Sequence, residues 1–261
     1  MSFSIAVAGK GGSGKTSVTS LIIRYLINNN LKPILAIDAD PNANLGDSLG
    51  LDIKQTVGSI IASFNDEKIA IPPGTTKESY LEYKLSEAIV ESPGLDLLTM
   101  GRGEGAACYC YPNSLLRKFA DTLADNYAYV VMDNEAGMEH LSRRTTQNID
   151  LLLIIADHSV KGVRAVARIR DLVSELKLVV KKQAVIINRV PGKLAPLIIT
   201  ELARLNIEPA AIIPEDEQIY QCDLELKPLL GLPDSSKAVQ VVADLMDGFL
   251  NNKILIKGVI K

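Results

Sequence analysis

Gly9-Lys10-Gly11-Gly12-Ser13-Gly14-Lys15-Thr16 carries the most specific chemistry in the chain. Its spacing matches G-x-x-x-x-G-K-[ST] in full. Glycines let successive backbone N–H groups turn inward on phosphate oxygens, and a helix opening here adds its positive end. In such a loop Lys15 bridges the β- and γ-phosphates of a nucleoside triphosphate. The Thr16 hydroxyl ligates Mg²⁺, and Ser17 follows in the same turn. A plain Gly-rich turn is the competing reading. The context, after an apolar run and before a helical one, argues against it.

Cys108 and Cys110 are the second chemical feature, inside Gly101-Arg102-Gly103-Glu104-Gly105-Ala106-Ala107-Cys108-Tyr109-Cys110-Tyr111-Pro112-Asn113. In an extended loop, residues i and i+2 project to one side, so both sulfurs can face one ion. Pro112 suits the first turn of a helix, and thiols just ahead of a helix N-terminus ionise more readily. Two thiolates are half of a closed site. A two-fold homodimer supplies the other half and gives a Cys₄ site. A redox disulfide and a pair of packed core cysteines stay open as alternatives. Tetrahedral sulfur suits zinc and square-planar sulfur suits nickel, and the spacing does not choose.

These residues need a scaffold. Apolar runs at Phe3–Ala8, Pro33–Asp38, Leu95–Met100, Tyr129–Met132, Leu151–Ala156, Ala184–Ile187 and Ala210–Ile213 read as strands. Helical spacing occupies Thr16–Asn30, Ser114–Leu123, Val160–Leu176, Lys193–Leu205 and Ser236–Phe249. Strands that are apolar throughout, alternating with amphipathic helices, predict an α/β fold with a mostly parallel sheet covered on both faces. Gln55–Glu91 is polar and mixed, and is read as helical pieces joined at Pro72-Pro73-Gly74. No repeat or Ser/Gly linker divides residues 1–261, so one domain is expected.

The formal net charge of −3 argues against a non-specific nucleic-acid binder, which shows a basic excess, and the absence of Trp disfavours a base-stacking platform. No apolar run approaches the ~20 residues of a membrane span. Met1-Ser2-Phe3-Ser4 enters a strand-like run without a basic leader, so the cytoplasm is the expected compartment. Lysines at 253, 257 and 261 could form one stripe on a short amphipathic tail, but Gly258 interrupts it and a membrane anchor is the minor reading. His140, His158 and Cys222 are left without a chemical role: a hydrogen-bonded histidine, a cap and a bystander thiol.

Lys10 adds a lysine at the start of the phosphate loop. K-G-G-x-G-K-[ST] resembles the deviant Walker A pattern of the MinD, ParA and nitrogenase iron protein class of P-loop ATPases. The resemblance implies ATP and ADP as ligands, with Lys10 crossing a homodimer interface to the partner's phosphates. Asp38-Ala39-Asp40 resembles the first switch, which makes Asp40 the carboxylate that orients attacking water. Asp133-Asn134-Glu135-Ala136-Gly137 resembles the second, which gives Asp133 a water on Mg²⁺ and Gly137 an N–H for the γ-phosphate. Asn188 and Pro214 match the class's adenine-contacting positions, although an Asn at a strand end is also a common turn residue.

With the C-x-C segment, and Ala136-Gly137-Met138-Glu139-His140 after the second switch, the chain is similar to the CooC-type nickel-insertion ATPases. That likeness implies Ni²⁺ (or Zn²⁺) at Cys108 and Cys110. It also implies a client enzyme, carbon monoxide dehydrogenase or acetyl-CoA synthase. The positions after Asp133 hold no Cys, unlike the iron protein, which disfavours an iron–sulfur electron donor. A spatial organiser of the MinD or ParA type is the alternative.

Overall fold

The computed structural model describes residues 2–64, 71–102, 119, 122–135 and 148–250. β1 (Phe3–Gly9) runs up the middle of the molecule, and α1 (Lys15–Asn28) returns along one face of the sheet. α1 forms because Val18, Leu21, Ile22, Tyr25 and Leu26 share a face, and all five are buried. β2 (Ile34–Asp38), α2 (Leu45–Leu49), α3 (Val57–Phe64) and α4 (Lys77–Glu87) follow. β3 (Ile89–Ser92), β4 (Leu95–Thr99) and β5 (Tyr129–Asp133) complete the first half. The second half comprises β6 (Asn148–Asp157), α5 (Val160–Glu175), β7 (Val179–Val190), α6 (Pro196–Arg204), β8 (Ala211–Pro214), α7 (Glu217–Glu225) and α8 (Lys237–Leu250).

The eight strands form one sheet in the order β3-β4-β2-β5-β1-β6-β7-β8. Every pairing is parallel except β3 with β4. Alternation along β1 divides the interior into two cores. Ile5 and Val7 face α1 and α8, while Ala6 and Ala8 face the opposite core, which includes Val163 and Val166 of α5. Both faces being covered explains why the strands read as unbroken apolar runs.

The expected strands and the doubly covered parallel sheet are present. The Gln55–Glu91 stretch contains α3 and α4 as read, and the Thr75 N–H donates to the Pro72 carbonyl at 3.1 Å in the intervening turn. It also contains β3, an antiparallel edge strand with no fully buried residue, so its pattern never looked like a strand. The helix expected at Lys193–Leu205 starts at Pro196, because proline's fixed φ suits the first helical position. Ser114–Leu123 lies mostly outside the described residues; positions 119 and 122–124 are helical.

Candidate nucleotide-binding and switch site

β1 sits between β5 and β6, and the loop after it crosses the carboxyl end of the sheet. Gly9 is tight: a Cβ there would lie 2.3 Å from the Ile155 carbonyl oxygen and 2.8 Å from Ser13 Oγ. The Ser13 N–H closes a turn on the Lys10 carbonyl at 3.2 Å. Gly14, at φ 87°, is the N-cap of α1, with no side chain capping the helix and no acidic residue in its first turn. The first N–H groups of the helix are therefore uncompensated by any side chain, which is the condition for binding an anion there. Gly11, Gly12 and Lys10 are exposed, Thr16 and Ser17 are half-buried, and Lys15 is buried.

Carboxylates crowd the neighbouring strand ends. Asp38 and Asp133 are partners across β2 and β5, and both are buried. Asp133 accepts from the Thr16 hydroxyl at 2.6 Å and from that of Thr19 at 3.4 Å. Burial pushes its carboxyl up to about 6, with Thr16 and Lys15 opposing the rise. Asp38 accepts from the Leu45 N–H at 2.9 Å and the Asp40 N–H at 3.1 Å. Burial raises it to about 7, against the Leu45 bond and with help from the charge of Asp133. Asp40 is half-buried, and its Oδ1 accepts from the Asn42 N–H and from Asn42 Nδ2, both at 2.9 Å.

A hydroxyl 2.6 Å from a buried carboxylate, beside a second buried carboxylate, is an all-oxygen donor set. That chemistry fits Mg²⁺, a hard cation that takes oxygen ligands.

The family model for the CobQ/CobB/MinD/ParA nucleotide binding domain matches residues 4–229. The chain belongs to this family. It is a nucleotide-binding ATPase of the MinD/ParA/CooC class. An uncharacterised ATP-binding protein of Methanocaldococcus jannaschii is 41% identical over 251 residues, covering 95% of this chain and 99% of the relative. The carbon monoxide dehydrogenase accessory protein CooC of Rhodospirillum rubrum is 29% identical over 183 residues, 66% of this chain and 69% of CooC. The MinD cell division protein of Aquifex aeolicus superposes with a TM-score of 0.69 at 22% identity, covering 98% of this chain and all of MinD, which shows the shared fold.

On the other side of the ATPase loop, Asn188 ends the inner run of β7 and is buried. Its Nδ2 donates to the Ser13 carbonyl at 2.9 Å, and a Cβ on Gly14 would lie 2.3 Å from that same nitrogen. The amide nitrogen is thus committed to the phosphate loop, a duty that spacing did not suggest. Arg189, at φ 58°, reaches the Gly12 carbonyl with Nη1 at 3.4 Å. Pro214 closes β8 opposite Val190, and the Glu215 N–H donates to the Val190 carbonyl at 3.1 Å. Asp216 then caps α7 through the Gln218 N–H and ties it to α8 through the Ser236 hydroxyl and the Ala238 N–H. An open depression bounded by Arg189, Glu215, Asp216 and Tyr220 lies beside these residues.

Gly137, His140, Cys108 and Cys110 lie outside the described residues. Among the described residues, no group of three or more His, Cys, Asp or Glu side chains converges as a metal site. Cys222 is a free, half-buried thiol that burial pushes up, consistent with a bystander. His158 is not the cap expected of it. Ser159 caps α5 by accepting from the Gly162 N–H at 2.9 Å, and His158 Nδ1 is buried without a partner. Among the described residues, no helix is long and apolar enough to cross a membrane.

Sequence reasoning named Asn134 only as part of a motif. Its Nδ2 donates to the carbonyls of Val7 at 3.0 Å and Met132 at 3.3 Å, which locks the chain beyond β5 to β1. Thr19 and the Asp38 carboxylate also escaped notice. A helical threonine and a strand-end aspartate are too common to mark a site until register places them against Asp133.

Proposed function

We propose that this ATPase is a homodimeric metallochaperone of the CooC type, with residues 1–261 acting as one domain. ATP would bind at Gly9–Thr16 with Lys15 on its phosphates, and exposed Lys10 would reach the partner's nucleotide. Asn188 and Pro214 would border the base, and the Gly137 N–H would meet the γ-phosphate. Bound Mg²⁺, held by Thr16 and through water by Asp133, would neutralise charge developing on the phosphates. Asp40 would orient the attacking water.

The observation that carries the metal reading is the pair Cys108 and Cys110, two positions apart in a Gly-rich segment that leaves β4 beside Asp38. Two subunits would place four thiolates around one Ni²⁺ or Zn²⁺ ion, and opening of the dimer after hydrolysis would release it to a client. The likeness to CooC supports carbon monoxide dehydrogenase as that client, with acetyl-CoA synthase as the related choice. The cytoplasm is the compartment in which such a client would be loaded.

Equilibrium dialysis with nickel and with zinc, read beside light scattering, tests this. One ion per dimer is expected, with affinity raised by ATP because two ligands favouring one closed state reinforce each other. One tight ion per monomer, undisturbed by dilution, refutes the shared site. Absence of metal binding together with ATP-dependent sedimentation on liposomes or DNA would transfer the chain to the MinD or ParA type of activity.

A further inference from the structure

Asn188 and Arg189, consecutive on β7, bind consecutive carbonyls of the phosphate loop. Asn188 Nδ2 donates to the Ser13 carbonyl at 2.9 Å, and Arg189 Nη1 donates to the Gly12 carbonyl at 3.4 Å. Neighbouring side chains of an extended strand project to opposite faces, so regular β geometry would not bring both to one loop. Pairing with β6 ends at Asn188, opposite Asp157, and the register with β8 shifts between Ile187 and Val190. Within that shift Arg189 takes φ 58°, in the left-handed region. An irregularity of this kind re-aims a side chain, here onto the loop.

Glycine or asparagine adopts that conformation more readily than a long side chain does. Arg189 is exposed between buried Asn188 and Val190, so packing in the core does not compensate it. The strain therefore points to a use for the guanidinium. The loop is shaped around both side chains. A Cβ on Gly14 would lie 2.3 Å from Asn188 Nδ2 and 3.4 Å from Arg189 Nε.

A planar trans peptide points its N–H away from its carbonyl. Holding the Gly12 carbonyl directs the Ser13 N–H to the other side, where it closes the turn on the Lys10 carbonyl at 3.2 Å. Holding the Ser13 carbonyl likewise directs the Gly14 N–H away from Asn188. Successive N–H groups turned to one side make a concavity for an anion. Packing does not shape this stretch, because a Cβ on Gly11 or Gly12 would meet nothing within 4 Å.

We propose that Arg189 is a positioning residue for the phosphate chain of the nucleotide: it presets the Gly12–Ser13 peptide so that the loop's N–H groups face the anion before it arrives. This rests on nucleotide binding at Gly9–Thr16, and on neither the cysteines nor Lys10.

The test uses Arg189→Gly and Arg189→Asn, which both accept a positive φ and both lack the guanidinium. A fluorescent ADP is displaced by magnesium ATP and by magnesium tripolyphosphate, which has neither base nor ribose. Both competitors should bind at least ~3-fold more weakly to each variant than to wild type. In the nucleotide-free variants the Ser13 amide hydrogen should exchange at least ~3-fold faster, with the cooperative urea transition kept. Weaker ATP with unchanged tripolyphosphate would place Arg189 against the base, in the open depression it shares with Glu215 and Tyr220, and would overturn the inference. Weaker binding of both with unchanged Ser13 exchange would mean direct contact with the phosphates, which overturns it too. Tripolyphosphate binding that survives Lys15→Ala would sink the phosphate-loop reading itself, whereas wild-type affinities in both Arg189 variants would sink only the positioning role.

Discussion

Asp38→Asn should make the stability of the nucleotide-free protein less sensitive to pH, and its stability curve should cross that of wild type. The folded protein holds the Asp38 proton more tightly than the unfolded chain does, because burial raises the carboxyl from 3.8 to about 7. The stability this carboxyl permits is fully present below about pH 4 and is lost as pH rises toward 7. At 1.36 kcal/mol per pH unit, ionising it in place costs about 4 kcal/mol by pH 7 and about 1 kcal/mol at pH 4.5. Asparagine removes the charge but turns an NH₂ group toward the Leu45 or Asp40 N–H, leaving a buried donor unpaired at a cost of about 1–3 kcal/mol. The variant should be as stable as wild type or weaker near pH 4.5, and stronger by about 1–3 kcal/mol at pH 8. Asp133, raised to about 6, leaves the variant a residual slope that ends near that pH. Urea unfolding in EDTA from pH 4.5 to 8 measures both curves. Parallel curves, or a variant still weaker at pH 8, would show that Asp38 carries its charge in the folded protein without penalty.

Lys15→Ala should abolish nucleotide binding if, as proposed, this buried lysine meets the phosphates of its own subunit, whereas exposed Lys10→Ala should spare ADP binding and lose ATP-induced dimerisation. Calorimetry and light scattering read the two, and ATP-driven dimers of Lys10→Ala would contradict action in trans. Asp40→Asn should leave MgATP affinity within a few-fold while turnover falls at least ~100-fold, because a residue that only orients water acts in the transition state. Unchanged phosphate release would remove Asp40 from the reaction. Asn188→Ala removes the donor to a loop carbonyl and should cost about 1–2 kcal/mol of stability, with weaker ADP binding by calorimetry. ADP affinity equal to wild type would mean that the loop keeps its shape unaided.

Much of the scaffold was legible because parallel strands covered on both faces read as near-continuous apolar runs, and the inner stretches of β1, β2, β5 and β6 do. What failed to show were elements whose burial comes from neighbours. β3 exists because it pairs with β4 at the sheet edge, and Glu91 in it stays exposed. α7 buries no residue fully, yet it forms because Asp216 caps it and anchors it to the start of α8. Neither property has a hydrophobic period that sequence reading could detect.

The site divides along the same line. The phosphate loop is local, so the residues that shape it are consecutive and readable. The parts that hold the loop in place are not: Asn188 lies 175 positions from the Ser13 carbonyl it binds, and Asp133 lies 117 from the Thr16 hydroxyl. Such contacts depend on strand order, which the sequence leaves open until the sheet is assembled. Once it is, Asp38 and Asp133 fall side by side at the ends of adjacent strands, next to the first turn of α1, which no side chain caps. Burial pushes both carboxyls up, and no side chain caps the first N–H groups of the helix. On the proposed reading a magnesium nucleotide would complement both sets at once. Its cation would answer the carboxylates and its phosphates the N–H groups. Nucleotide affinity and the stability of this end of the sheet should therefore rise and fall together in variants of either set.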